Sequence, residues 1–120
     1  SGGVVDCNDT ITGGYLIPQI SQADIAAMAG WSYEEIAFRV MWPFVEGTFS
    51  KETFGEIIQK AYAGFGHDAR APLVQLAPNH FLLELFHGPT LAFKDFAMQL
   101  IGQLFATALK RRGESVTIVG

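Results

Sequence analysis

Residues 81–120 have the sequence FLLELFHGPTLAFKDFAMQLIGQLFATALKRRGESVTIVG, and this stretch decides the fold class. The apolar run 81–86 predicts a strand, a long helix is predicted from within 91–95 to about Arg111, and the β-branched segment 115–120 predicts a buried strand. Strand, helix and strand in this order are typical of a βαβ unit with a right-handed crossover. We therefore predict an α/β fold. Because parallel sheets normally bury both faces, we expect the chain to be truncated inside an α/β domain.

Three short helices are predicted before this βαβ pattern. Two begin at serines that are followed three positions later by an acidic residue, Ser21 with Asp24 and Ser32 with Glu35. The second pair is a capping box, in which side chain and backbone satisfy each other at a helix start. Pro43 should bend or end the second helix, because proline lacks the backbone N–H that a helix interior needs.

A third helix and a hairpin fill the middle of the chain. The helix is predicted from near Ser50, and its apolar positions share one face. These positions are Phe54, Ile57, Ile58 and Ala61. Segments 72–76 and 81–86 then predict two strands joined by the turn-like residues 77–80, which indicates a hairpin.

Composition excludes several classes of protein. The net charge of −4 argues against a nucleic-acid binder, which usually carries a basic patch. A single cysteine, Cys7, fits a reducing compartment such as the cytoplasm. No stretch approaches the ~20 apolar residues of a membrane span, and residues 1–14 lack the pattern of a signal peptide. Since the chain begins with Ser1, we expect a processed or engineered start.

The mean hydropathy of +0.24 is high for a self-contained domain of 120 residues. It is compatible with apolar surface that meets a partner or another part of the same protein. A single domain with a well-buried core would explain the same value, and the composition alone does not choose between them.

Lys94 is the unusual residue of the long helix. Polar residues recur there every three or four positions and predict a stripe that faces solvent, namely Asp95, Gln99, Gln103, Thr107 and Lys110. Lys94 lies off this stripe, at the head of an apolar row that continues with Met98, Ile101 and Phe105. We therefore expect Lys94 to lie in apolar surroundings in the first turn of the helix.

Burial and the positive end of the helix dipole would both favour a neutral amine at Lys94. A neutral amine is the form that condenses with an aldehyde to a Schiff base. The alternative is a lysine whose stem packs on the core while its head reaches water. The residues just before it, 88–90, predict a tight turn beyond the carboxyl end of a strand, where open α/β sheets bind ligands.

The segment HGPTLAFKD, residues 87–95, resembles the lysine motif of the threonine synthase family. Residues 13–18, GGYLIP, are similar to the opening of the same family. The likeness extends over about residues 12–120, whereas residues 1–11 do not match. The family's phosphate-binding loop, Ser-Gly-Asp-Thr-Gly, would be expected just after Gly120.

The resemblance implies a fold-type II enzyme that depends on pyridoxal 5′-phosphate. Residues 1–80 would be an N-terminal helical region with a short hairpin, and residues 81–120 the start of the cofactor-binding α/β domain. The complete protein would be a cytoplasmic lyase that converts O-phospho-L-homoserine and water to L-threonine and phosphate. The remainder of the same polypeptide would be required, so the 120-residue piece alone should be inactive. A related phospho-lyase or a non-catalytic fragment stays open as an alternative.

The resemblance also implies roles for single residues. Lys94 would be catalytic and would carry the cofactor as a Schiff base, with Phe93 beside it. Candidate substrate contacts are His87, Thr90 and Asp95, and no metal is implied. Each has a simpler interpretation: Asp95 as an acid facing solvent at the helix start, Thr90 as the helix cap, and His87 as a turn residue bonded to backbone.

Overall fold

A computed structural model describes residues 20–117. The chain divides into two compact units, one ending at Gly55 and the other beginning at Glu56. The resemblance at residues 13–18 and the end of the predicted last strand, 118–120, lie outside the described residues. The division after residue 80 that the resemblance implies concerns domains of the complete protein and stays a prediction.

The first unit contains helix α1, Gln22–Ala27, and helix α2, Tyr33–Val45. Both begin at the predicted serines. The Ser32 backbone N–H donates to Glu35 Oε2 at 2.7 Å, and the Glu35 backbone N–H donates to Ser32 Oγ at 3.2 Å. Ser21 and Asp24 make the equivalent pair. Two capping boxes therefore start these helices, because each supplies donors and acceptors that the helix end leaves unpaired.

Helix α2 continues through Pro43 and ends two residues later at Val45. Proline removes one hydrogen bond from the preceding turn, and the helix therefore ends soon after it, as predicted. Inside the unit, Phe38 stacks on Trp42 with ring centroids 5.5 Å apart, and Phe54 packs against Phe38 at 5.4 Å. The three rings contribute to the core of this unit, since Phe54 is 1% exposed and Phe38 and Trp42 are half-buried.

Helix α3, Lys51–Tyr62, begins after Ser50, whose Oγ accepts from the Thr53 N–H at 3.2 Å. Its predicted apolar face is confirmed, because none of the four residues is more than 3% exposed. They are Phe54, Ile57, Ile58 and Ala61.

The second unit continues with strands β1, Leu73–Ala77, and β2, His80–Leu83, which pair antiparallel with Leu73 opposite Leu83. The predicted hairpin is therefore confirmed. Its two-residue turn is Pro78-Asn79, and Asn79 has a φ of 58°. Asparagine tolerates this left-handed conformation, and proline favours the preceding turn position, so the turn chemistry agrees with the sequence.

Helix α4, Asp95–Arg112, ends at Gly113 in the left-handed conformation, as predicted. Its orientation is the reverse of the predicted one. Asp95 is buried and Gln99 is half-buried, whereas Met98 and Phe105 of the apolar row are 59% and 57% exposed. Periodicity identifies which residues share a face. It does not reveal that the buried carboxylate of Asp95 finds hydrogen-bond donors within the second unit.

After α4, residues 114–117 have no regular secondary structure. The sheet among the described residues is the antiparallel hairpin. The parallel pairing predicted for residues 115–120 therefore stays a prediction, since a parallel strand exists only through a neighbouring strand and part of the segment is not described. No helix within residues 20–117 is both long enough and apolar enough to cross a membrane.

Candidate active site

Lys94 is the residue immediately before α4, and its backbone already has helical angles, φ −60° and ψ −22°. Its carbonyl accepts from the Met98 N–H at 2.9 Å. The side chain is exposed, and within residues 20–117 its amine has no hydrogen-bond or ion-pair partner. The predicted burial of Lys94 is not observed within the described residues, because the apolar row faces outward.

The surface around Lys94 is nevertheless apolar. Phe93 is 66% exposed, Met98 follows one helical turn later, and Leu91 is 73% exposed. Exposed hydrocarbon and one exposed aromatic ring therefore lie within four residues of Lys94 in the sequence. Such patches are common at binding sites and at surfaces that another part of a protein covers.

The predicted tight turn is present at residues 88–91, where the Leu91 N–H donates to the Gly88 carbonyl at 3.0 Å. Leu91 has a φ of 60°, a conformation that L-residues other than glycine and asparagine seldom adopt. Gly88 is buried, and an added Cβ would overlap Cβ and Oδ2 of Asp95. The turn therefore brings the backbone of Gly88 against the first side chain of α4.

Asp95 is only 2% exposed. The simpler interpretation, in which Asp95 faces solvent at the helix start, is therefore wrong. Its Oδ2 accepts from the Thr90 backbone N–H at 2.8 Å and from Thr90 Oγ1 at 2.9 Å, and its Oδ1 accepts from Gln99 Nε2 at 3.2 Å. Burial by itself would raise the pKa of Asp95, but these hydrogen bonds together lower that pKa below its ordinary value.

Thr90 is not the helix cap, because Lys94 occupies that position. The sequence predicts a helix start within residues 91–95, and α4 begins at Asp95, the last of these positions. Thr90 is therefore too far from the first free N–H groups of the helix to cap it. Instead, Thr90 is a double donor to the Asp95 carboxylate. Its side chain is otherwise exposed at the surface of the turn.

His87 makes two kinds of contact. Its carbonyl accepts from the Gly66 N–H at 2.8 Å, which ties the turn to the segment after α3. Its Nε2 lies 2.7 Å from Oε2 of Glu84, and its ring centroid lies 5.0 Å from that of His67. The His87 imidazole is therefore held half-buried by the Glu84 carboxylate and not by backbone, whereas the main-chain carbonyl of His87 makes the contact with Gly66.

Residues outside the motif hold the start of α4. Tyr62 Oη donates to the Phe96 carbonyl at 3.0 Å, and the rings of Phe65 and Phe96 meet edge to face at 5.0 Å. Sequence reasoning missed Tyr62 and Gln99 as parts of this site. For Gln99 a signal existed, since it lies four residues after Asp95 on the same helix face. For Tyr62 no local signal existed, because the contact spans 34 residues.

We expect the Thr90→Val substitution to raise the pKa of Asp95, because it removes the hydroxyl that favours the carboxylate. Since the pKa of Asp95 is lowered in the folded protein, its contribution to stability is present above the unfolded value of about 3.9 and is lost as pH falls through the folded value. The measurement is a carboxyl-carbon NMR titration of the full-length protein. Thr107→Val is the control, and a Thr90→Val protein that titrates like the wild type would contradict the prediction.

Comparison with known proteins gives a consistent result. Residues 14–62 match the family model described as threonine synthase N terminus. The chain is 52% identical over 104 residues to a threonine synthase of Pseudomonas aeruginosa, and 36% identical over 113 residues to that of Schizosaccharomyces pombe. In both comparisons the match covers 87% of this chain and 22% of the relative.

Solved structures agree with this likeness. A pyridoxal-phosphate-bound threonine synthase from Brucella melitensis superposes with a TM-score of 0.78 at 48% identity, covering 82% of this chain and 21% of that one. The yeast threonine synthase gives 0.72 at 36% identity, covering 80% and 20%. The predicted α/β class, with an N-terminal helical region and a short hairpin, therefore matches the beginning of these structures. The chain spans about one fifth of their length.

Proposed function

We propose that the complete protein is a threonine synthase, because this chain matches the N-terminal part of proteins of that name. It would convert O-phospho-L-homoserine and water to L-threonine and phosphate, using pyridoxal 5′-phosphate. The observation that carries the proposal is the exposed amine of Lys94, which stands within the HGPTLAFKD motif on an apolar surface at the start of α4.

Lys94 and Phe93 suit the aldehyde-bearing end of this cofactor. A primary amine without a hydrogen-bond partner in residues 20–117 can bond to an aldehyde carbon, and the exposed ring of Phe93 offers an apolar face beside it. Lys94 would hold the cofactor through Nζ, with Phe93 as its packing neighbour. When bound, the cofactor supplies an electron sink that stabilises carbanions at the substrate.

Lys94 would then have a second task, which is to move protons at the substrate carbons while phosphate leaves from Cγ and water adds at Cβ. Its position suits this task, because the amine ends a flexible stem whose backbone is already helical. A lysine with both tasks must be able to reach the substrate carbons from a fixed backbone, and the Lys94 carbonyl is already part of the α4 hydrogen-bond ladder.

Three neighbours of Lys94 are candidate contacts for substrate, and they differ in how accessible their side chains are. Thr90 has an exposed side chain at the turn, and the half-buried imidazole of His87 lies on the preceding segment. Asp95 is the weakest of the three, since both of its oxygens already accept hydrogen bonds inside the protein. Pyridoxal phosphate and an anionic substrate would also be repelled by its negative charge.

The remainder of the polypeptide is the partner that this proposal requires. The hairpin exposes apolar side chains, for example Leu73 at 63% and Phe81 at 50%, and the apolar row of α4 is exposed as well. A chain that spans about one fifth of its relatives would leave such surface for the other four fifths to cover. We therefore propose that the 120-residue piece is inactive by itself. We also propose that the complete enzyme is cytoplasmic.

The test is an assay of the full-length protein with O-phospho-L-homoserine, in which threonine and phosphate are both quantified. Equal amounts of the two products, dependent on added pyridoxal phosphate, are the expected result. No turnover of this substrate would overturn the proposal.

A related phospho-lyase is the second candidate, because some relatives are named threonine synthase-like and not threonine synthase. The human threonine synthase-like 1 is 35% identical over 91 residues and the chain covers 12% of it, and Xenopus laevis threonine synthase-like 2 is 28% identical over 104 residues. The same assay separates the candidates, because a phospho-lyase of this kind would release phosphate without threonine.

A further inference from the structure

Asp95 is the one buried charged residue among residues 20–117, and no cation lies within ion-pair distance of it in that part of the chain. Neutral donors hold its charge instead: the backbone N–H and hydroxyl of Thr90, and the side-chain amide of Gln99. A buried charge is costly unless such bonds satisfy it. An acid placed only to complement the helix dipole would gain that benefit while exposed.

Thr90, Asp95 and Gln99, which we call the Asp95 clamp, lie on both sides of Lys94 in the sequence. Thr90 lies four residues before Lys94 and Gln99 five residues after it, and the carboxylate between them joins both. Lys94 also lies inside two successive turns, closed by the Asp95 N–H to the Ala92 carbonyl at 3.0 Å and by the Phe96 N–H to the Phe93 carbonyl at 3.3 Å. The backbone that bears the amine is therefore bonded on both sides.

The clamp also holds a strained residue. Leu91, between Thr90 and Lys94, has a φ of 60° although its side chain is exposed and gains little from packing. A residue stays in this conformation only when its surroundings determine it. The surroundings here are the 88–91 turn and the Thr90 contacts with Asp95, whose Cβ lies against the buried Gly88.

We propose that Asp95 is a positioning residue for Lys94, acting through the clamp, and not a substrate contact. By fixing residues 90–99 in one arrangement, the carboxylate presents the Lys94 amine from a rigid base. The inference rests on the proposed function, because it assigns Asp95 a part in the use of Lys94. It deepens that function by separating the groups that hold the reactive amine in place from the groups that meet the substrate.

Kinetics of the full-length enzyme test the proposal through the two side-chain donors to Asp95, Thr90 and Gln99. Thr90→Val and Gln99→Met each remove a donor and leave the carboxylate in place. Misplacement of a reacting group by about 1 Å can cost about 10²-fold in rate, so we expect kcat to fall about 10- to 100-fold while KM stays within about twofold. Thr90→Ser, which keeps the hydroxyl, should restore most of the rate. A raised KM with unchanged kcat would overturn the proposal in favour of a substrate contact.

Hydrogen exchange of the full-length protein without cofactor supplies a second readout that does not depend on turnover. In Asp95→Asn, Thr90→Val and Gln99→Met we expect peptides that cover residues 88–98 to exchange about 10-fold faster, with peptides from α3 unchanged. Glu56→Gln, which alters an exposed carboxylate on α3, is the control. Unchanged exchange at residues 88–98, or faster exchange with unaltered kcat, would overturn the proposal.

The proposed function and the positioning role of Asp95 can each be wrong without the other. If the wild-type protein does not turn over O-phospho-L-homoserine, the proposed function is wrong, and the exchange experiment still decides whether the clamp holds the segment. If the wild type is active and the clamp variants match it in kcat, the positioning role alone is wrong. Should Asp95→Asn fail to fold, the Thr90 and Gln99 variants decide, because neither removes the buried charge.

Discussion

Replacing Lys94 with alanine in the full-length protein should lower kcat for O-phospho-L-homoserine by about 10³-fold or more. The substitution removes both the amine that would hold the cofactor and the group that would move protons, and proton transfer by a positioned side chain alone contributes about 10²- to 10⁴-fold. The fold should be unaffected, because the Lys94 side chain is exposed and makes no hydrogen bond within the described residues. The measurement is steady-state formation of threonine and phosphate.

Two matched variants make this result specific. Lys110→Ala removes an exposed lysine from the last turn of the same helix and should leave kcat near that of the wild type. Lys94→Arg replaces the amine with a guanidinium that stays protonated and does not condense with an aldehyde, so it should be as inactive as Lys94→Ala. An active Lys94→Arg protein would show that only charge is needed at this position, which is incompatible with a nucleophilic amine.

The identity of the labelled residue gives an independent test. Borohydride reduction of the full-length protein loaded with pyridoxal phosphate should attach the cofactor irreversibly to the peptide that contains Lys94. Attachment at another lysine, such as Lys51 or Lys60, would contradict the assignment even if Lys94→Ala were inactive. This experiment therefore separates a direct role of Lys94 from a merely structural one.

Features that depend on a few neighbouring residues could be predicted from the sequence. The capping boxes at Ser21 and Ser32 involve groups three residues apart, and the Pro78-Asn79 turn depends on the φ preferences of those two residues. The buried face of α3 follows from a helical period that carries large apolar side chains. In each case the interactions that determine the structure join residues within about one helical turn or one hairpin.

The orientation of α4 could not be predicted in this way, and the reason is physical. Hydropathy assigns a carboxylate to water and methionine to the core, yet Asp95 is buried and Met98 is 59% exposed. Two facts reverse the assignment: Thr90 and Gln99 donate hydrogen bonds that make burial of the carboxylate tolerable, and apolar surface remains exposed on a chain that matches about one fifth of its relatives. Neither follows from local hydropathy, since the first depends on the conformation of the turn.

The Gly88→Ala substitution should destabilise the start of α4 strongly, because the added methyl would occupy the space of Asp95. An ideal Cβ at position 88 would lie 2.7 Å from Asp95 Cγ and even closer to Asp95 Cβ and Oδ2. Overpacking of this kind costs about 1–3 kcal/mol, and displacement of Oδ2 would also break both bonds from Thr90. We expect a lower thermal midpoint for the full-length protein and faster hydrogen exchange at residues 88–98.

A second glycine shows why the expected loss is steric and not a general effect of glycine replacement. Gly55 lies in α3, where an added Cβ would meet no heavy atom within 4 Å apart from its chain neighbours and the backbone of its own helix. Alanine there should stabilise the helix by about 0.5–1 kcal/mol, since it reduces the entropy lost on folding. Gly88, unlike Gly113 with its φ of 67°, is not among the glycines with positive φ, so alanine can adopt its backbone conformation and the cost must come from contact with Asp95. If Gly88→Ala were as stable as Gly55→Ala, the close approach of the turn to Asp95 would be wrong, and the clamp around Lys94 would lose its structural basis.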